Sequence, residues 1–221
     1  MTVQDGFVAI PKIGRVRLRQ HRPVEGQTKS ATFKRDAAGH WFVSVVVVVE
    51  VPDRPVLEPT PDTTVGVDGG LTEFVVLSTG ERIANPRFAR RQDRLRRRAN
   101  RNLSRKQQAS RNRGRARARL ARLHRKIANQ RAGFLHRHSR RLIDRFHATA
   151  IEDLNVCALA RTELSPSFAD AAHGRFRALL RYKADWYGKT LVVIDRFFPS
   201  SKRCSSCGHV YKDLALNERC W

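Results

Sequence analysis

The sequence predicts an α/β protein in which a sheet is interrupted by one long, very basic helical insertion. Three observations carry that expectation. Short apolar, β-branched runs end at Asp68 and lie at 74–77, 82–84, 148–155 and 189–197, and they read as strands. Two long stretches between the third and fourth run place apolar residues at helical spacing. A third amphipathic stretch, "SFADAAHGRFRALLRYKADWYG", separates the fourth run from the fifth.

Residues 1–58 read as β structure. In "GRVRLRQ", Val16 and Leu18 alternate with Arg15, Arg17 and Arg19. "ATFKR" and "HWFVSVVVVVEV" flank "DAAG", a four-residue hairpin loop in which Gly39 supplies a positive φ. The valine run is too β-branched to favour helix, because branching at Cβ fits a pleated surface better than a helical turn. The Pro-rich spacer "VPDRPVLEPTPDTT" then marks a boundary near residue 60.

Beyond it, "TVGVDGGLTEFVVLSTGERIA" reads as strand, Gly-Gly turn, strand, Ser-Thr-Gly turn and short strand. A helix is expected from about Pro86, a favoured first helical residue, to Lys106, with Phe88, Leu95, Ala99 and Leu103 in register. After the polar link "QQASRNRG", a second helix carries Leu120, Leu123, Ile127, Phe134, Leu142, Ile143 and Phe146. The pair reads as a helical hairpin inserted at about 86–146. The next amphipathic stretch reads as one helix ending at Gly188, a natural residue for the position after a helix. A hairpin sheet followed by α/β units is the element order of a ribonuclease-H-like fold.

Charge narrows the partner. The 221 residues hold 44 Lys and Arg against 20 Asp and Glu, a net +24. Between Pro86 and Arg145 there are 23 Lys and Arg against only Asp93 and Asp144. Like charges at i, i+4 destabilise an isolated helix, so a face this basic makes sense where phosphates neutralise it. Arg94, Arg97, Arg98, Arg101, Arg105, Lys106, Arg111, Arg113, Arg122, Arg125, Lys126 and Arg131 are the candidate nucleic-acid contacts. Arginine dominates, which suits bidentate phosphate binding and stacking on bases. No apolar run reaches the length of a membrane span, and no secretory signal is visible. With two of the four cysteines in a CxxC pair, a reducing, cytoplasmic setting and a metal fit better than a disulfide framework.

Two constellations point to chemistry. Asp68 closes a strand just before Gly69-Gly70, and Glu152 closes the strand after the insertion. On neighbouring strands they would form a hard-oxygen site for Mg²⁺ of the kind that serves phosphodiester cleavage. The competing readings are a plain Asp-Gly-Gly turn, a solvated Glu152-Asp153 pair, and the phosphate loop of actin-like kinases, which "VGVDGG" also resembles. The kinase reading lacks its other nucleotide motifs in this sequence. Strand alternation favours Glu152 over Asp153. Cys204 and Cys207, with Gly208 relieving the turn, read as half of a Zn²⁺ site rather than a redox pair, since no helix pattern follows. Cys157 reads as a small packing residue.

The blocks "VGVDGGL", "NPRF", "LSRKQQASRNR", "LHRKIANQRAGFLH", "IEDLNV", "YKADWYG" and "DRFFPSSKRCSSCG" together resemble the TnpB/OrfB insertion-sequence transposase family, RNA-guided nucleases related to type V CRISPR effectors. The resemblance implies a partial oligonucleotide-binding β-barrel over 1–58 and a RuvC-like nuclease core over 62–199. It also implies an incomplete zinc ribbon over 200–221. It implies Asp68 and Glu152 as the first and second acids of a catalytic triad on two Mg²⁺ ions, DNA as substrate, and a guide RNA from the transposon end. It further implies a chain truncated at both ends. The third acid and the second cysteine pair would then fall beyond Trp221, Cys220 would not be a ligand, and cleavage would be weak or absent. The alternative is a non-catalytic nucleic-acid binder acting through the Arg-rich insertion.

Overall fold

The computed structural model describes every residue except 1, 5, 22, 51–57, 155–162, 164, 196–197, 200–201, 205–206 and 212–221. The expectations for Cys157, Cys220 and much of the Pro-rich spacer therefore lie outside the described residues. The chain divides into two units, Met1–Pro55 with Arg91–Arg131, and Val56–Arg90 with Ala132–Trp221.

In the first unit, β1 (Thr2–Gln4), β2 (Phe7–Ile10) and β3 (Gly14–Arg17) form an antiparallel sheet. β4 (Gln27–Arg35) and β5 (Trp41–Val48) form a separate ribbon. Among the described residues no ladder joins the two sheets. The loop between β4 and β5 runs one residue longer than "DAAG", because Asp36 Oδ1 accepts the N–H groups of Ala38 and His40 and holds His40 in the turn. Gly39 there has φ +91°. Along β5, Val43, Val45 and Val47 are half-buried, whereas Phe42, Val46 and Val48 are exposed.

The basic insertion begins with a single turn, α1 (Phe88–Arg91), then α2 (Asp93–Ser104) and α3 (Arg111–Arg145). The sequence suggests one helix from Pro86 to Lys106, but the structure breaks it at Gln92. Asp93 opens α2, where a carboxylate complements the helix N-terminus, and it pairs with Arg96 at 2.7 Å and Arg97 at 2.6 Å. The polar link is also shorter than "QQASRNRG". Ser110 Oγ accepts the Arg113 N–H at 3.1 Å, so this side chain starts α3 inside the expected link. α3 supplies residues 111–131 to the first unit and 132–145 to the second.

The second unit holds a five-stranded sheet of order β10-β9-β6-β7-β8. Its strands are β6 (Thr64–Gly69), β7 (Glu73–Leu77), β8 (Arg82–Ala84), β9 (Ala148–Glu152) and β10 (Thr190–Ile194). β6, β9 and β10 are parallel, β7 pairs antiparallel with β6, and β8 pairs antiparallel with β7. The helix expected before Gly188 is two helices, α4 (Ser165–Ala171) and α5 (His173–Tyr187). Ala172 between them takes a left-handed conformation with φ 58°, which is costly for a residue with a Cβ and ends α4. Gly188 closes α5 with φ 59°, as its sequence position suggests.

One core ties these elements together. Val65, Val67, Phe74, Val75, Leu77, Ile83 and Ile151 of the sheet pack with Leu135, Leu142 and Ile143 of α3 and Phe176, Leu180 and Ala184 of α5. Burial of a large apolar side chain contributes about 1.5–3 kcal/mol, so this cluster dominates the stability of the second unit.

Candidate active site and nucleic-acid interface

The parallel ladder between β6 and β9 runs Thr64↔Ala148, Val65↔Thr149, Gly66↔Ala150 and Val67↔Ile151. The next residue on each strand is a carboxylate, Asp68 on β6 and Glu152 on β9. Val67 and Ile151 are buried at 4% and 6% exposure, so alternation turns both acids to the opposite face of the sheet. Neighbouring strands lie about 4.8 Å apart, which sets the scale of the separation between the two Cα atoms. The structure thus brings Asp68 and Glu152 together at the C-terminal end of two parallel strands.

Asp153 takes a different path. Its N–H donates to the Ile194 carbonyl at 3.0 Å, and its carboxylate pairs with the Arg177 guanidinium of α5. A shallow cleft that includes Glu152 is lined also by Gly69, Ile151, Leu154, His173 and Arg177. No local pattern in the sequence marks His173. Its Nε2 lies 2.9 Å from the Gly70 carbonyl oxygen, and burial holds its pKa below the ordinary value, partly offset by that hydrogen bond and by the Asp68 charge.

Two carboxylates supply four hard oxygens, a donor set that suits Mg²⁺, which binds proteins through one or two carboxylates and completes its shell with water and phosphate. Among the described residues no cluster of three or more His, Cys, Asp or Glu gathers to hold a metal. Cys204 is half-buried and Cys207 exposed. They sit in a tight hairpin. The Cys204 N–H donates to the His209 carbonyl at 2.8 Å, the Gly208 N–H to the Cys204 carbonyl at 3.0 Å, and the Tyr211 N–H to the Lys202 carbonyl at 2.8 Å. Gly208 has φ 76° there. These two thiols offer half of a tetrahedral zinc set, on a turn rather than a helix N-terminus.

The basic candidates differ in freedom. Arg94, Arg97, Arg98, Arg101, Arg105, Lys106, Arg111, Arg122 and Lys126 are exposed, while Arg113, Arg125 and Arg131 are half-buried. Arg113 Nη1 donates to the carbonyls of Lys106 at 3.0 Å and Leu103 at 3.3 Å, closing the link between α2 and α3. Arg125 lies 3.5 Å from Asp36. Arg97 pairs with Asp93. No described helix is long and apolar enough to cross a membrane.

The transposase family model OrfB_IS605, described as "Probable transposase", matches residues 44–163. A second model, "Cas12f1-like, TNB domain", matches residues 173–221. A Streptomyces pristinaespiralis protein named "Putative RNA-guided DNA endonuclease" is 44% identical over 209 residues, covering 92% of this chain and 50% of that protein. An Escherichia coli (strain K12) protein, "Putative RNA-guided DNA endonuclease InsQ", is 30% identical across 97% of this chain and 56% of its own length. Among solved structures, a CRISPR-Cas12f ternary complex aligns at 19% identity over 84% of this chain and 38% of that one, with a TM-score of 0.47. The chain spans about half the length of the curated relatives it matches. With the transposase model covering more than half of its residues, the chain belongs to the TnpB/OrfB insertion-sequence transposase family.

Proposed function

We propose that this chain carries two carboxylates of the metal-dependent phosphodiesterase centre, and a nucleic-acid-binding surface, of a transposon-encoded, RNA-guided DNA endonuclease. The observation that carries the reading is the pair of carboxylates, Asp68 and Glu152, one step beyond the last in-register pair of two parallel strands. Its fold is a RuvC-like variant of the ribonuclease-H-like sheet, which is supported by the strand order β10-β9-β6-β7-β8. Mg²⁺, when bound, activates water and stabilises the leaving oxygen of a phosphodiester. Asp68 and Glu152 would hold it, on backbone positions set by the ladder between β6 and β9. Asp153 is kept out of that set by Arg177.

Arg94, Arg98, Arg101, Arg105, Lys106, Arg111, Arg122 and Lys126 are exposed and bind phosphates of guide RNA or target DNA. Cys204 and Cys207 serve as half of a zinc site in a ribbon, and 1–58 serves as part of an oligonucleotide-binding barrel. Both proposals rest on the resemblance together with the local hairpins.

Two measurements test this. Mn²⁺, a spectroscopic stand-in for Mg²⁺, is titrated into the chain and followed by electron paramagnetic resonance. Binding that is lost in both Asp68→Asn and Glu152→Gln supports the site, and binding unchanged in either variant refutes it. Filter binding of a duplex across a salt series then reads the surface. A steep fall of log K with log salt is expected, and a flat line refutes phosphate binding by the insertion.

A further inference from the structure

We propose that His173 is a positioning residue for the metal site, a pin that fixes the Gly69-Gly70 turn on which the Asp68 carboxylate is mounted. The inference rests on the metal-centre reading of Asp68 and Glu152, and adds a residue to it that neither charge nor spacing marks.

Gly70 is held on both sides. Its N–H donates to the Phe74 carbonyl at 3.1 Å, closing the turn between β6 and β7. Its carbonyl oxygen lies 2.9 Å from His173 Nε2. A carbonyl only accepts, so the proton of the neutral ring sits on Nε2 and His173 is the donor. The ring is fixed in turn by stacking on Phe74, with centroids 5.0 Å apart and planes 6° from parallel. Phe74 is fully buried and also meets Phe134 and Phe176 edge-on at 5.0 Å each. Core packing therefore sets the ring, the ring sets the turn, and the turn sets where β6 ends.

Gly69 shows how close the approach is. A Cβ built there would lie 3.1 Å from His173 Nδ1 and 3.2 Å from Leu154 Cδ1, tighter than nearly all real contacts. Glycine at that position lets the imidazole edge rest on the backbone beside Asp68. The left-handed Ala172 immediately before His173 also finds a reason. Breaking the helix between α4 and α5 places this ring over the turn as α5 begins, and strain of that kind persists where the surroundings require it.

The variants are His173→Phe, which keeps a ring on Phe74 and loses the Nε2–H donor, and His173→Gln, which restores an amide donor at similar reach. Amide hydrogen exchange of metal-free protein reads the pin directly. In His173→Phe, exchange across 68–74 should rise about tenfold, the loss of one hydrogen bond. Exchange in β9 and β10 should stay unchanged, and His173→Gln should restore protection. Mn²⁺ affinity should fall several-fold in His173→Phe and recover in His173→Gln. Unchanged exchange at 68–74, a uniform rise across the sheet, or Mn²⁺ affinity that His173→Phe leaves intact while Asp68→Asn abolishes it overturns the proposal. If Asp68→Asn leaves Mn²⁺ binding intact, the metal-centre reading fails instead, whatever the exchange shows.

Discussion

Asp170→Ala should loosen the base of the basic insertion. Asp170 is 8% exposed and sits near the end of α4. Its carboxylate accepts the Ala89 N–H at 3.0 and 2.9 Å on its two oxygens, and the Arg90 N–H at 3.2 Å. These are first-turn donors of α1 and have no partner within their own helix. A remote side chain thus does the work that a serine or aspartate usually does from the adjacent cap position. A hydrogen bond to a charged acceptor contributes about 1.5–3 kcal/mol, which sets a ceiling of about 3–6 kcal/mol for the two donors. Ala89 is half-buried and Arg90 exposed, so water recovers part of that, and the expected cost is about 2–3 kcal/mol. Asp170→Asn keeps a carbonyl acceptor without the charge and should cost about 1 kcal/mol. Urea unfolding followed by circular dichroism gives the stabilities, and hydrogen exchange at Ala89 and Arg90 locates the change. An alanine cost below about 0.5 kcal/mol, or asparagine as harmful as alanine, would refute the capping argument.

Two further outcomes concern polar groups of the second unit. Lys183, 6% exposed, donates to Ser139 Oγ at 2.7 Å and to the His136 carbonyl at 2.8 Å, and burial is the main cause pulling its pKa down. Ser139 Oγ itself donates to the Leu135 carbonyl at 2.7 Å, so Lys183→Met leaves the hydroxyl satisfied. That variant should change stability by less than about 1 kcal/mol in either direction, whereas Ser139→Ala strips the ammonium of an acceptor and should cost about 1–3 kcal/mol. Equal losses in the two variants, measured by urea titration, would contradict this. For pH, burial first and then Lys183 and Arg175 hold His136 below 6.5, and burial with Arg137 and Arg141 does so for His138 against Glu81. The unfolded chain therefore takes up these protons more readily than the native one. Their contribution to stability should be complete above pH 6.5 and be lost as pH falls through the lower folded values. Denaturation midpoints that rise on acidification from pH 7 to 5 in the wild type, with no change in His138→Phe, would be the wrong sign.

What could be read from the sequence follows sequence distance. β6 and β7 are legible because each apolar run stops at its own Gly turn, and the positions of Asp68 and Glu152 near strand ends need only the local apolar run before them. Gly188 is legible for the same reason. His173, Asp170 and Lys183 are not, because their partners lie 103, 81 and 44 residues away, across the insertion or the sheet. One signal was available for Lys183. It falls on the apolar stripe of Phe176, Leu180 and Ala184, where an ammonium requires a buried acceptor. The break at Ala172 carries no propensity signal, since alanine favours helix more than any other residue. Tertiary demands at His173 override it there. In the first unit the alternation of Val43 to Val48 is correct as a strand, but pattern alone does not say which strand pairs with which, and the five described strands fall into two sheets.

The ladder between β6 and β9 also says where this sequence can vary. The two acids are aligned by backbone pairing, and the chain that links them only has to return to the next strand. Insertions or deletions within residues 93–131, which lie outside the core cluster of the second unit, leave the register untouched. A single residue lost inside Thr64–Gly69 or Ala148–Glu152 would rotate one acid to the buried face. Length polymorphism should therefore collect in the basic helices. The two short strands should tolerate substitutions at their apolar positions but no change of phase.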